Sequence, residues 1–464
     1  MRINPFNDRN TYLLRLIKIA HFLLTVLVAT AIWHKFCHID MIRGLHSEGI
    51  FATFYAIIYF LLSHIYRAYD LGYSRVMDLT YSHILTSCLI NSIMYAGNCI
   101  VVLHLINPLP FMGMVVVQGF LGMFWAFGAN KLYFSLVAPK RTVVVYRNQS
   151  DLKRLSEIRN FSYRFKVEGY IENPNNDFES LLKKIEGYEA VFVVGVHATL
   201  RNAIVKYCSE YDVCGYISPH IGDIIVAGGM QIHTYGIPIS EVRRAHARIE
   251  YRVIKRLFDI FVACVGILLA GPIMLITAAA IKLYDGGDVL YRQTRLTKDE
   301  KRFTILKFRS MRCDAEKDGV ARLATENDSR VTPVGRVIRA SRIDELPQLF
   351  NVLMGDMSLV GPRPERPEIA AQYESMIPAF KLRLQVKAGL TGYAQVYGRY
   401  NTEPYDKLQM DLIYISRMSL AEDIKLVLAT IKILFIKEST QGVEAGRTTA
   451  AEQREAQQHA ERGA

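Results

Sequence analysis

S-R-I-D-E-L-P-Q-L-F-N-V-L-M-G-D-M-S-L-V-G-P-R-P, residues Ser341 to Pro364, is the stretch on which the reading of this chain turns. Asp344 and Glu345 stand directly before a helical pattern. Pro347 is tolerated only in a first turn, Leu346, Leu349, Phe350 and Leu353 recur at helical spacing, and Gly355 is a stop. The carboxylates are therefore expected at a helix N-terminus, where the macrodipole and unpaired N–H groups keep Asp344 ionised and attract a phosphate. One end can then hold both a nucleophile and the group it attacks. In Gly361-Pro362-Arg363-Pro364, two prolines fix the backbone around an arginine able to grip phosphate in bidentate fashion. The competing reading is a capping box from Ser341 to Asp344 followed by a surface turn.

The flanks favour the anion site. Upstream lie Gln293-Thr294-Arg295, the block Phe303 to Met311 with Lys307 and Arg309, and Arg336 to Arg339; downstream lies Lys387 to Arg399, with Gly392, Gln395 and Gly398. In order and spacing these blocks, over residues 250 to 440, closely resemble the bacterial sugar transferase family, the long monotopic phosphoglycosyl transferases. That resemblance implies transfer of a sugar 1-phosphate from a UDP-sugar to undecaprenyl phosphate, with Mg²⁺ as cofactor and UMP released, initiating a capsule or exopolysaccharide. It also implies roles: Asp344 as nucleophile, Glu345 and Asp344 at the metal, Arg339 and the segment Pro362, Arg363, Pro364 at phosphate and nucleotide. Lys307, Arg309, Gln395 and Arg399 become substrate contacts. Ala388 stands where the family usually has proline.

The rest of the chain frames this site. It has 464 residues, too long for one ordinary domain, and 51% are hydrophobic. Its mean hydropathy of +0.13 is high for a soluble protein. The net charge of +12 is spread over several segments without a nucleic-acid motif, which argues for anionic lipid and phosphate rather than nucleic acid. Seven scattered cysteines, odd in number and without a C-x-x-C pair, give no disulfide framework and no zinc site.

Four apolar segments, Leu14 to Trp33, Ile50 to Tyr66, Tyr81 to His104 and Met112 to Phe134, are each near the ~20 residues a bilayer core requires. No cleavable signal pattern precedes them. Arg2, Arg9, Arg15 and Lys18, then Arg67 and Arg75, then Lys131, Lys140 and Arg141 place both ends of this bundle in the cytoplasm by the positive-inside rule. Ser87, Asn91 and Asn98 within it read as helix-packing contacts. From Arg141 to Arg244, strand patterns at Thr142 to Tyr146, Ala190 to Val194 and Val213 to Ile217 alternate with helical ones at Leu152 to Ile158 and Phe178 to Ile185. This suggests a Rossmann-like unit whose first turn, Arg147 to Ser150, lacks the glycines that dinucleotide binding needs. A structural or oligomerising role follows, leaving a homodimer open.

Within Tyr251 to Tyr284, the run Leu257 to Leu283 is long enough to span a bilayer, yet a crossing would carry Asp344 away from cytoplasmic nucleotide sugars. Gly271-Pro272 at its middle predicts a helix-break-helix that re-enters on one side, with Lys255, Arg256 and Lys282 marking the interface. Ser419 with Glu422 predicts a cap before Ile424 to Ile436, an interfacial amphipathic helix or a core helix.

The expected fold is membrane α plus α/β. A four-helix transmembrane bundle (1–138) precedes a degenerate nucleotide-binding-like α/β module (139–245). An α+β catalytic domain (246–440) with a reentrant helix (251–284) and a disordered tail (441–464) follow. The setting is a bacterial inner or plasma membrane with the catalytic domain cytoplasmic. A D-x-D glycosyltransferase lacks its motif here, and a non-catalytic scaffold would not need this clustering of charge.

Overall fold

The computed structural model describes residues 8–37, 47–149, 151–152, 164–172, 178–234, 237–244, 247–312, 328, 330–398 and 403–434. It divides into two compact units, Met1–Pro219 and His220–Ala464.

In the first unit the apolar runs form α1 (Asp8–Cys37), α2 (Ser47–Ile65), α3 (Val76–Val102) and α4 (Leu109–Leu136). All four are long and apolar enough to cross a membrane. Large apolar side chains such as Leu27, Phe60 and Phe124 point outward, while polar ones face one another inside. Asn91 and Tyr55 both donate to Gln118 Oε1, at 2.9 and 3.0 Å, and Trp33 Nε1 donates to Asn98 Oδ1 at 3.1 Å. Asn91 and Asn98 thus serve helix packing, and Ser87 is buried on the same helix, its carbonyl accepting from Asn91 within α3.

A parallel sheet follows: β1 (Lys140–Tyr146), β2 (Phe165–Glu172), β3 (Ala190–Val194) and β4 (Cys214–Ile217), in the order β2-β1-β3-β4. Helices α5 (Phe178–Ile185) and α6 (Ala198–Glu210) pack on it through Leu181, Ile185, Leu200 and Ile204. The strands read from the sequence appear at nearly the same bounds. β2 escaped that reading because it is an edge strand whose alternate residues face solvent. Most of the helix expected at Leu152 to Ile158 lies outside the described residues. After β3, Gly195 adopts φ +69°, and a Cβ there would meet the buried Asp151 carboxylate at 2.0 Å.

The second unit begins earlier than the boundary drawn at residue 245. Helix α7 (Ile221–Ala227) and the hairpin β5 (Met230–Thr234) and β6 (Ile237–Glu241) belong to it, because Ile224 is buried in its core with Leu408, Leu412 and Ile415. Then come α8 (Ile249–Asp285), the antiparallel pair β7 (Leu290–Leu296) and β8 (Arg302–Phe308), α9 (Pro333–Ala340), α10 (Gln348–Met354) and β9 (Ser358–Val360). After these stand α11 (Pro367–Met376), β10 (Gly389–Thr391), α12 (Tyr393–Val396), α13 (Pro404–Ser416) and α14 (Leu420–Leu434). β9 and β10 pair in parallel.

Helix α8 refines two expectations. No non-helical residue interrupts it at Gly271-Pro272: proline costs the helix one backbone donor, which permits a bend, and helical backbone continues on either side. Lys255 and Arg256, read as interface markers, also serve as internal ties. Lys255 Nζ lies 3.0 Å from Asp423, itself fully buried, and Arg256 donates to the Val352 and Leu353 carbonyls at 2.6 and 2.8 Å. Those carbonyls end α10, where Gly355 (φ +90°) turns the chain away, so the guanidinium closes a helix C-terminus. Buried Asp259 accepts from Ser358 Oγ at 2.7 Å and binds α8 to β9.

Both halves of α8 pack on this unit. Phe258, Val262, Ala263 and Ile267 touch the core containing Leu349 and Leu359, and Met274, Ala278 and Ile281 touch Phe308, Ile338 and Ile343. The opposite face, with Leu268, Leu269, Leu275 and Ile276, is exposed. In α14, Ser419 Oγ accepts from the Glu422 N–H at 3.2 Å as expected, and Leu426 is fully buried. Of the two readings of that helix, the structure supports the core one as far as Leu434. The tail lies outside the described residues.

Candidate active site

Asp344 and Glu345 sit on a single 3-10 turn, Ile343–Glu345, entered through Arg342 in the left-handed region (φ +54°). A non-glycine residue there costs on the order of 1–3 kcal/mol, strain that the sequence did not announce. α10 starts only at Gln348, so the carboxylates precede the helix by a turn instead of capping it. Ser341 is no N-cap either: it closes α9 and donates to the Val337 carbonyl at 2.8 Å.

The two acids are held differently. Glu345 Oε1 accepts from Lys307 Nζ at 3.2 Å and from Arg363 Nη2 at 2.8 Å. Burial opposes its ionisation, but Arg363, Lys307 and Arg342 outweigh it and keep the carboxyl well below the usual range. Burial and then the Glu345 charge push Asp344 up to about 6, against Lys307, Arg339 and Arg363. Asp344 is ionised at neutral pH as expected, but it holds its proton more tightly than an ordinary carboxyl, the opposite of what the helix dipole alone would do. Desolvation and a like charge dominate, and the dipole of a seven-residue helix one turn away is the weaker influence. Burial also pushes the Lys307 ammonium down, while Glu345 raises the Arg363 guanidinium.

Arg363 is aimed by its backbone. Four consecutive carbonyls each accept one bond: Pro362 from Gly389 N (2.9 Å), Arg363 from Arg383 Nη2 (2.9 Å), Pro364 from Arg295 Nη1 (3.0 Å) and Glu365 from Leu296 N (3.1 Å). Gly361 and Gly389 permit this closeness, since a Cβ on Gly389 would lie 2.1 Å from Gly361 N. Ala388 donates its N–H to Thr297 Oγ1 at 3.1 Å, a bond that a proline at that position would forbid.

Arg383 was missed in the sequence. Its side chain is 3% exposed and lies 2.8 Å from Asp411, which is 1% exposed. The available signal was Asp411 itself, an acid on the apolar stripe of Leu408, Leu412 and Ile415. Asn351, fully buried, was missed as well; it bonds Leu306 N and the Thr304 carbonyl and so fixes β8, which carries Lys307, to α10.

The structure thus brings together Asp344, Glu345, Lys307, Arg339, Arg363 and its prolines. Gln395 joins this region through Gly392, whose Cβ position lies 2.2 Å from the Gly361 carbonyl. Both Gln395 amide atoms, and Nε2 of the buried Gln348, are enclosed without a hydrogen-bond partner among the described residues. Arg309 is turned elsewhere: its guanidinium binds Asp285 at the end of α8 and packs on Gly287. Arg399 lies outside the described residues.

A sequence profile described as bacterial sugar transferase matches residues 250–437. An Aeromonas hydrophila UDP-N-acetylgalactosamine-undecaprenyl-phosphate N-acetylgalactosaminephosphotransferase is 46% identical over 40% of this chain and 44% of its own length. A Caulobacter vibrioides UDP-glucose:undecaprenyl-phosphate glucose-1-phosphate transferase is 43% identical over 41% of this chain and 73% of its own. The exopolysaccharide production protein PSS of Rhizobium leguminosarum bv. phaseoli is 39% identical over 41% of this chain and 97% of its own. The chain belongs to the bacterial sugar transferase family. It spans less than half of the Aeromonas relative, so the likeness is one of the C-terminal unit.

The residues present fit a magnesium ion of the kind held by one or two carboxylates, water and substrate phosphates. Both cations on Glu345 bond Oε1, and Asp344 supplies a second carboxyl beside it. No cluster of three or more His, Cys, Asp or Glu suited to a metal occurs among the described residues, so such an ion would depend on phosphate oxygens.

Proposed function

We propose that this chain transfers a hexose 1-phosphate from a UDP-sugar to undecaprenyl phosphate through a covalent phosphosugar-aspartyl intermediate, releasing UMP and initiating a surface polysaccharide. The observation that carries this reading is the divergence of two adjacent acids inside one basic pocket. Glu345 is neutralised by Lys307 and Arg363, while Asp344 holds its proton up to about 6 and is ionised at neutral pH without an ion-pair partner among the described residues. An ionised carboxylate of raised basicity is a better nucleophile than an ordinary one.

Asp344 attacks the β-phosphorus, the bond to the bridging oxygen breaks, and UMP leaves with that electron pair. The lipid phosphate then attacks the same phosphorus and returns the Asp344 carboxylate. Lys307, Arg339 and Arg363 stabilise the charge on the phosphoryl oxygens in both steps. Glu345 and Asp344 would hold a Mg²⁺ ion, which when bound would neutralise charge on the diphosphate. Because donor and acceptor are both anions drawn to the same cations, releasing UMP before the lipid phosphate binds avoids their mutual repulsion.

The reading includes α8 re-entering the membrane on the cytoplasmic side. At about 1.5 Å per residue its 37 residues could extend ~55 Å. Its first turns are tied to Asp423 and its last residue, Asp285, to Arg309, both on one unit, while apolar side chains near Pro272 are exposed between these ties. Anchorage of both ends to a single unit supports entry and exit at one face.

The test uses purified protein, a panel of UDP-glucose, UDP-galactose and UDP-N-acetylhexosamines, and no lipid. One donor should give a burst of UMP and leave its sugar phosphate on the peptide containing Asp344, with ping-pong kinetics once undecaprenyl phosphate is added. Asp344→Asn should lower UMP release by on the order of 10³-fold or more. Intersecting double-reciprocal plots without an adduct would reduce Asp344 to a base or metal ligand.

A further inference from the structure

The α/β sheet of the first unit carries a lysine and a cysteine in unusual proximity. Lys140 opens β1 and Cys214 opens β4, with β3 between them. Their backbones are bonded elsewhere, Lys140 N to the Arg164 carbonyl and Cys214 N to the Glu189 carbonyl. The lysine side chain therefore crosses the amino end of β3, and its Nζ lies 2.7 Å from Cys214 Sγ. Amide N–H···O bonds, between smaller atoms, cluster at about 2.9–3.0 Å. Nitrogen and sulfur this close are nearer than a hydrogen bond sets them. The spacing is that of two atoms joined through one shared light atom. Both residues are half-buried, so a small oxidant can reach them.

We propose that Lys140 and Cys214 form a covalent nitrogen–oxygen–sulfur bridge when the protein meets a peroxide, giving the sheet a redox-dependent staple. In the first step the thiol takes one oxygen from hydrogen peroxide, forming a sulfenic acid and water. In the second, the sulfenic O–H and one amine N–H break, an O–N bond forms, and a second peroxide accepts the two hydrogens and their electrons as two waters. Lys140 and Cys214 are 74 residues apart in sequence, so the link closes a long loop and restricts the unfolded chain in the way a disulfide does. Four thiol equivalents, oxidised to two disulfides, cleave the bridge and return amine, thiol and water.

The alternative fate of the sulfur is also built into the fold. Buried Cys208 lies beneath β4, its Sγ 3.3 Å from the Cβ position of Gly215. A disulfide between Cys208 and Cys214 would compete with the bridge. The experiment treats the full chain in detergent with a hydrogen peroxide series, followed by digestion without reductant and mass spectrometry. The expected product joins the Lys140 and Cys214 peptides with a gain of one oxygen and a loss of two hydrogens, and dithiothreitol abolishes it. It should be absent from Cys214→Ser and from Lys140→Arg, and its formation should raise the thermal unfolding midpoint by a few degrees. Cys214 recovered as a free thiol, as sulfinic or sulfonic acid with unmodified Lys140, or in a disulfide with Cys208 would overturn the proposal. Because this decisive product is read on the unsubstituted protein, a variant that fails to fold does not remove the test.

Discussion

Replacing Glu345 by glutamine should move the acid limb of the first half-reaction to lower pH, even as it lowers the plateau. In the wild-type site Asp344 titrates at about 6, raised first by burial and then by the charge of Glu345. Glutamine keeps the shape and removes the charge, while Lys307 and Arg363 remain to favour ionised Asp344. Adjacent carboxylates at an effective dielectric of about 20 repel by on the order of 1–3 kcal/mol. That is about one to two pK units. The rate should therefore rise through about 6 in the wild type and through roughly 4–5 in the variant, because in both it is the ionised acid that attacks. The assay is single-turnover UMP release from the UDP-sugar without lipid, across pH. This half-reaction is chosen because a donor diphosphate has no ionisation near 6, whereas the monoester phosphate of the acceptor does. The Mg²⁺ response should weaken in the same variant. A limb that stays at its wild-type position, or moves upward, would refute the assignment of that titration to Asp344 under the field of Glu345.

Arg383→Met should lower stability by about 3–5 kcal/mol, since it leaves Asp411 buried without its partner. Adding Asp411→Leu should restore the melting temperature but not kcat/KM, because the Arg363 carbonyl still lacks its donor; full recovery of turnover would show that Arg383 does not position Arg363. Pro272→Leu should let α8 straighten so that part of the population crosses the membrane and loses activity. Unchanged cysteine-labelling topology with unchanged turnover would remove proline as the cause. A single cysteine placed near Asp344 should be protected from an impermeant reagent in intact cells, and labelling from outside would reverse the proposed orientation.

The membrane helices, the buried strands and the identity of the acidic pair were legible in the chain because each rests on local pattern: apolar runs of bilayer length, short apolar bursts, and a motif contiguous in sequence. The protonation of Asp344 was not legible, since it depends on burial and on charges brought from β8 and from Arg363, none of them sequence neighbours. Nor was the direction in which basic side chains point. Lys255 and Arg256 look like interfacial residues beside an apolar run, and only the fold sets them against Asp423 and the end of α10. Arg309 stands two residues from Lys307 and is claimed by Asp285 instead of Glu345. The sequence by itself determined which groups could do the chemistry. Tertiary structure decided which of them face the same small volume and how strongly each holds its proton, because Coulomb and desolvation energies depend on separation and burial in space, not on separation along the chain.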